Sequence, residues 1–330
     1  MKEIKKILVP TDFSEQADAA YNHAQEIAKK FGAKIDLIHI IPTIKYFHES
    51  ISNMGFPIDM DGDLYPSVQE EAIGKMGEIM KEHIEEEYRG ESICKIDRTS
   101  AARIVDVANK GGYDLIVMAS RGRHATHLLR GSTTEKVIRH SEIPVFTVDA
   151  RLSKEGVNRI LFPTDGSTIS FSALPIALSL AETYEAEIVL FHVVELYGSA
   201  LESDRPDPKK SDEVNIYTTL MKRLSDYLTD EKDSNIEISR REEDFEDKFV
   251  VTNGASSRTV HLRTVVAKGV SAHHGIEDYA VDNADIVVMA THGHSGFAHL
   301  FLGSTTEKVA QHLTIPVVTV KPDKDKLKKK

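Results

Sequence analysis

Apolar residues fall in short runs along this chain, separated by stretches with helical spacing, and the pattern occurs twice. Ile7-Leu8-Val9 ends at Pro10-Thr11-Asp12, and Ile160-Leu161-Phe162 ends at Pro163-Thr164-Asp165. Ile35 to Ile41 and Glu187 to Val194 are near-continuously apolar and rich in branched residues, as in strands covered by helices on both faces. Between these runs Ala17, Ala20, Ala24, Ile27, Ala28 and Phe31 share one helical face, and Gly32 sits where a left-handed terminator belongs. Pro175 in the second copy predicts a helix that starts late or bends early. Ile73, Met76, Met80 and Ile84 predict a long amphipathic helix, as do Ile216, Leu220, Leu224 and Leu228. Third strands are expected at about Ser92 to Ile96 and Val260 to Ala267, each followed by a short helix, Ala101 to Lys110 or about Gly275 to Asn283. Fourth strands lie at DLIVM, Asp114 to Met118, and DIVVM, Asp285 to Met289. Alternating strands and helices of this kind call for a mostly parallel, doubly wound α/β sheet with right-handed crossovers in each half.

The heptapeptide GSTTEKV ties the halves together, at Gly131 to Val137 and Gly303 to Val309, each followed by a Pro-led apolar strand, Ile143 to Val148 or Ile315 to Val320. It has the pattern of a helix start, with Ser132 and Ser304 as caps and Glu135 and Glu307 completing a capping box. A helix start with a glycine before it also suits a phosphate, which meets free N–H groups and the positive end of the helix dipole. We expect a domain over residues 1–150, a second over 151–322 and a basic tail over 323–330, with Arg151 to Gly156 as linker. The least repetitive parts are Ile44 to Tyr65, which has loop character, and an insert near 233–257 whose acidic run, Glu242 to Asp247, is expected to be solvated.

Composition narrows the chemistry. Acidic residues number 52 against 41 basic ones, for a formal charge of −11, which argues against nucleic acid or an anionic membrane as the main partner. The lysine run ending at Lys330 fits a solubilising tail, and the single cysteine, Cys94, excludes an internal disulfide and fits a reducing compartment. With no secretory pattern at Met1 to Asp12 and no run of membrane-spanning length, a cytoplasmic location is expected.

In a doubly wound sheet a ligand binds beyond the carboxyl ends of the strands, where strand order reverses. Three segments of each half converge there if strands one and four are neighbours. They are Pro-Thr-Asp, the turn after strand four (Ala119-Ser120-Arg121-Gly122; Ala290-Thr291-His292-Gly293) and the Gly-Ser helix start. Aspartate offers acceptors to an amino or ribose hydroxyl group, glycine admits close backbone, and the helix start holds phosphate, which together describe a mononucleotide pocket. Asp12 and Asp165 could equally cap the helices that follow them. His39 and His192, at equivalent positions of strand two, fit hydrogen-bonded core residues. No Gly-x-x-x-x-Gly-Lys-[Ser/Thr] loop is present. Thr291-His292-Gly293-His294 matches a nucleotidyltransferase signature but follows the fourth strand, not the first, and His273, His274, His292 and His294 lack the spacing of a zinc site.

These motifs resemble those of the universal stress protein family in its tandem form, with two domains covering nearly the whole chain. Its ATP-binding members carry Gly-x-x-Gly, nine residues, then Gly-Ser or Gly-Thr. The second half is similar, with Ala290 for the first Gly, then Gly293, nine residues His294 to Leu302, and Gly303-Ser304. In the first half the intervening loop is eight residues, Arg123 to Arg130, a shorter spacing also met in nucleotide-binding branches. The resemblance implies sheets of five strands in the order 3-2-1-4-5 and ATP or another adenine nucleotide, with or without Mg. Pro163, Thr164, Asp165 and the Val193 backbone would hold adenine; Met289, Ala290 and Gly293 would line the ribose; Gly303, Ser304 and Thr305 would bind phosphate. The matching positions of a weaker first site are Pro10, Thr11, Asp12 and Ile40, then Met118, Ala119 and Gly122, then Gly131, Ser132 and Thr133. Three functions follow as expectations: a nucleotide-binding stress-response regulator with a protein partner; a slow ATPase or phosphoryl-transfer enzyme, with His294 as the proton-transfer group to test; or a scaffold with degenerate pockets. The resemblance also implies pairing of the last strands into an intramolecular pseudo-dimer, with a homodimer left open.

Overall fold

The structure, a computed structural model, describes residues 3–43, 65–120, 131–149, 156–196, 211–230, 235–240, 246–253, 256–292 and 302–322. The chain divides into two compact units, one spanning Ile4–Arg151 and one whose main body is Leu152–Lys330. Gly122, Gly293, Arg130, His294, the linker up to Glu155 and the basic tail lie outside the described residues.

The first unit runs β1 (Lys6–Pro10), α1 (Asp18–Phe31), β2 (Lys34–Pro42), α2 (Tyr65–His83), β3 (Arg89–Asp97), α3 (Ser100–Lys110), β4 (Leu115–Ala119), α4 (Ser132–His140) and β5 (Val145–Val148). Its strands are parallel in the expected order β3-β2-β1-β4-β5, so strand order reverses at β1. Gly32 ends α1 at φ 69 in the left-handed region. Of the four apolar positions assigned to α2, Met76 and Met80 are buried and Ile84 is buried just beyond the helix, whereas Ile73 is 46% exposed.

The second unit runs β6 (Arg159–Pro163), α5 (Leu174–Tyr184), β7 (Glu187–Glu195), α6 (Asp212–Asp230), β8 (Ile236–Ser239), β9 (Glu246–Asn253), β10 (Ser256–Gly269), α7 (Ala272–Asn283), β11 (Ile286–Ala290), α8 (Ser304–His312) and β12 (Val317–Val320). A 3-10 turn over Ser170–Ala173 precedes α5, and Pro175 sits in its first turn, so the helix starts late as the proline requires. The parallel frame is β12-β11-β6-β7-β10, but the sheet continues through β9 and β8, both antiparallel. The described part of the insert therefore departs from the solvated excursion expected of it, with Glu242 to Phe245 of the acidic run lying outside the described residues and Glu246 exposed. Phe249 and Val251 alternate inward from β9, and Asp247, at the end of the acidic run, is buried with both carboxylate oxygens 3.0 Å from the Tyr217 hydroxyl. A hydroxyl donor makes burial of that carboxylate tolerable.

The aspartate opening each fourth-strand motif anchors the frame. Asp114 Oδ2 accepts the N–H groups of Lys5 and Lys6 at 2.8 and 3.0 Å, and Asp285 Oδ2 accepts those of Asn158 and Arg159 at 2.7 and 2.9 Å. Each first strand is thereby pinned to the fourth at the end away from the helix starts. Among the described residues no helix is long and apolar enough to cross a membrane.

Candidate functional site

At the carboxyl ends of β6, β7 and β11 the second unit forms an open-mouthed cavity of about 150 Å³. Pro163, Thr164, Asp165 and Val193 line it from β6 and β7, Met289 and Ala290 from β11, and Gly303, Ser304 and Thr305 from the start of α8. Nine of the ten positions named for this half thus converge, the tenth being Gly293. Neighbouring strands lie about 4.8 Å apart, so the walls at β7 and β11, on either side of β6, are about 10 Å from each other.

The turn after β6 is held by its own side chains. Thr164 N–H donates to the Phe191 carbonyl at 2.9 Å, and Thr164 Oγ1 lies 2.7 Å from Ser170 Oγ while accepting Gly166 N–H at 3.0 Å. Asp165 Oδ1 accepts the N–H and hydroxyl of Ser167 at 3.0 and 2.6 Å, so this aspartate caps its turn and lines the cavity at once. The far wall is α7, whose first N–H, of Ala272, is taken by Glu195 Oε1 at 2.6 Å. It packs close over β7: a Cβ on Gly275 would stand 2.9 Å from Val193 Cγ2.

The start of α8 differs from expectation. Its N-cap is Gly303, not Ser304, and no side chain caps it; α4 likewise begins after Gly131. The glycine carbonyls accept the N–H groups of Glu307 and Glu135, at 2.9 and 3.2 Å. In α4 the Glu135 carboxylate turns outward to Arg139, so the capping box does not form there. The reason lies in the backbone. Gly303 N–H donates to the Thr291 carbonyl at 2.9 Å, and a Cβ at Gly303 would stand 3.0 Å from that same oxygen. Only glycine fits this approach without displacement. Thr306 Oγ1 then donates to the Ala290 carbonyl at 2.9 Å, latching α8 to the end of β11.

The first unit repeats much of this frame. Gly131 N–H donates to Ser120 O at 3.0 Å, and Thr134 Oγ1 to Ala119 O at 3.0 Å, placing Gly131, Ser132 and Thr133 at the end of β4 beside Met118 and Ala119. Pro10 closes β1 and Ile40 lies buried in β2. Thr11 differs from Thr164 in meeting the Tyr21 hydroxyl, and Asp12 Oδ1 accepts the Ser14 N–H at 3.1 Å. Phe13 stands where the second unit has Gly166; both are left-handed, at φ 60 and φ 75, and the Phe13 ring packs on His39 at 4.4 Å.

Several residues that line the cavity are not among the ten positions that the sequence assigns to it. Ser170 and Ala272 carry no local signal. His192 does, being next to Val193 in the strand. It is 5% exposed, and its Nδ1 lies 2.9 Å from the Thr164 carbonyl. Burial, followed by the charge of Arg223, works to lower its pKa against the opposing pull of the Thr164 bond and Asp165, and the net shift is downward. Below the ordinary imidazole value of about 6.5 the unfolded chain takes up a proton that folded His192 refuses. Its contribution to stability is therefore full above that value and is lost as pH falls toward the lower folded pKa. Urea unfolding between about pH 7 and 5 should show stability falling with pH, with a shallower slope in His192→Asn. An unchanged slope would count against a neutral His192. His292, also in the wall, has Nδ1 2.9 Å from Thr291 Oγ1.

Comparison with known proteins gives a consistent result. The model of the Universal stress protein family matches residues 3–149 and again 156–321. A universal stress protein of Mycolicibacterium smegmatis is 25% identical over 324 residues, which is 96% of this chain and 97% of the relative. One from Methanocaldococcus jannaschii is 30% identical over 158 residues, 45% of this chain and 97% of its own. The crystal structure of a universal stress protein from Archaeoglobus fulgidus superposes with a TM-score of 0.60 at 20% identity, covering 97% of each chain.

Proposed function

We propose, given that this chain belongs to the universal stress protein family as two copies in tandem, that the second unit binds an adenine nucleotide, ATP first, and that occupancy is its regulatory signal. The observation that carries this reading is the open pocket joining Thr164, Asp165 and Val193 at one wall to Gly303, Ser304 and Thr305 at the other. Of the two helix starts lining it, that of α7 is taken by the Glu195 carboxylate, while α8 offers its first N–H groups without a side-chain cap. An anion suits the second by hydrogen bonding and by the helix dipole. The span of about 10 Å between the walls accommodates a base at β7 and phosphates at α8. The spacing from Ala290 through Gly293 to Gly303-Ser304 resembles that of the family's ATP-binding members. The first unit is proposed as a second, weaker site, with Mg arriving with the phosphates if at all. Binding without turnover, read out by a protein partner, is the role this arrangement supports.

The test is mass spectrometry of small molecules released by denaturing the purified protein, followed by ATP titration of the stripped chain. An adenine nucleotide should be released, and ATP at about 100 times its Kd should stabilise the stripped protein by about 2.7 kcal/mol. Protein that is isolated empty and whose melting ignores ATP would overturn the proposal.

A further inference from the structure

One threonine follows the first strand of each unit, and both units hold it in the same way. Thr11 N–H donates to the Ile38 carbonyl and Thr164 N–H to that of Phe191, each at 2.9 Å. The carbonyls of these threonines accept from Nδ1 of His39 and His192, at 2.8 and 2.9 Å. Their hydroxyl oxygens accept the N–H two residues on, of Phe13 and Gly166, each at 3.0 Å. A fourth contact, to a second hydroxyl, is met by different means. In the second unit it is Ser170 Oγ at 2.7 Å, and in the first it is the Tyr21 hydroxyl. Ser170 aligns with Ala17, which has no hydroxyl, and Tyr21 aligns with Leu174, so each unit supplies the group once and from a different position. Repeated geometry from non-equivalent residues marks the contact itself as what the turn requires.

The second-unit contact has a fixed direction. Ser170 Oγ donates its hydrogen to the Ser167 carbonyl at 2.8 Å, so across the 2.7 Å pair Thr164 is the donor and Ser170 the acceptor. Thr164 therefore has no donor left for a ligand, its N–H and O–H both being engaged inside the fold. Ser170 N–H donates to Ser167 Oγ at 3.1 Å, and that same serine holds Asp165 Oδ1 through its own N–H and hydroxyl. Ser170 is 5% exposed, stands in the cavity wall, and ties Thr164 to Ser167 across the aspartate between them. We infer that Ser170 is a positioning residue for the nucleotide site. By fixing the turn from Thr164 to Ser167 it sets where Asp165 stands at the base end of the cavity, the part that Tyr21 plays toward Asp12 in the first unit. The inference rests on the nucleotide reading of the cavity and adds to it the group that holds its acidic wall in place.

The experiment is a double-mutant cycle read by ATP calorimetry on the stripped full-length protein, well below its melting temperature, with Ser170→Ala, Thr164→Val and the two together. Ser170→Ala should weaken the tighter ATP site by about tenfold, the scale of one buried hydroxyl left without its partner. Thr164→Val should weaken it at least as much, because it removes the same contact together with the acceptor of Gly166 N–H. Adding Ser170→Ala to Thr164→Val should then cost no further affinity, since residues that act through one contact are not additive. A role in folding alone would lower the melting temperature of Ser170→Ala and leave its ATP affinity unchanged, which would overturn the inference while leaving the nucleotide site standing. Losses that add across the cycle would overturn it as well, by assigning Ser170 a direct contact with the ligand. A wild type that does not bind ATP would overturn the nucleotide reading and this inference with it.

Discussion

Gly303→Val is expected to weaken ATP binding by at least about a hundredfold. Phosphate oxygens at an uncapped helix start accept charge-assisted bonds of about 1.5–3 kcal/mol each, and losing about 3 kcal/mol is about a hundredfold in Kd. The added atoms cannot be absorbed cheaply, because the nearest neighbours of a Cβ at Gly303 are backbone: the Thr291 carbonyl at 3.0 Å and His292 Cα at 3.6 Å. Relief requires α8 to move away from the end of β11, carrying Ser304 and Thr305 out of position. Calorimetric titration of the stripped variant checks this, with Gly131→Val as the control that should leave the second-unit affinity intact. Retention of wild-type affinity in Gly303→Val would mean that the phosphates lie elsewhere.

Asp36→Ala is expected to destabilise the first unit by about 2–4 kcal/mol, the scale for breaking a buried, multiply bonded charge. Asp36 is 2% exposed and serves three partners, the Tyr113 hydroxyl and the Glu91 N–H, both at 2.7 Å, and Lys6 Nζ at 3.2 Å. Removing it leaves a buried hydroxyl without its acceptor. The Tyr113 pKa is pushed far up by burial first and then by the bond to Asp36, so the hydroxyl remains a donor throughout the working pH range. Gly90 is part of the same arrangement, since a Cβ there would fall 2.0 Å from Asp36 Oδ1. The aligned positions of the second unit are Val189 and Ala284, an apolar solution to the same packing problem. Urea unfolding should therefore show the loss in the first unit alone, with second-unit ATP affinity unchanged. A variant as stable as the wild type would show the charge to be dispensable.

The doubled frame was legible because its signals are periodic and local. Near-continuous apolar runs, the aspartate of DLIVM and DIVVM, Gly32 and Pro175 each act within a few residues of where they stand. The site was legible to the same degree, since Pro-Thr-Asp and Gly-Ser-Thr sit at strand and helix ends that the topology brings together. What escaped reading depends on distant partners. The capping-box pattern around Ser132 and Ser304 is present, but the Thr291 carbonyl beside Gly303 sets where α8 begins. The acidic run appeared solvated because nothing nearby announces that Tyr217 will meet Asp247. His192 is the hydrogen-bonded core histidine that its place in the strand implies, and its position at the border of the cavity follows only from the neighbouring strands.

The insert also bears on how these molecules behave in a crowd. In the first unit β3 ends the frame and carries Arg89, Glu91, Lys95 and Asp97 along its length, charges that discourage another chain from adding a strand. The equivalent β10 is longer, Ser256–Gly269, and has Val260 and Leu262 buried. From Ser256 to Arg263 its outer side is occupied by β9. The outermost strand then becomes β8, four residues long, with Glu237 and Ser239 exposed. A short, half-polar margin is a poor template for adding a strand, so the second unit gains by coverage the edge protection that the first gains by charge.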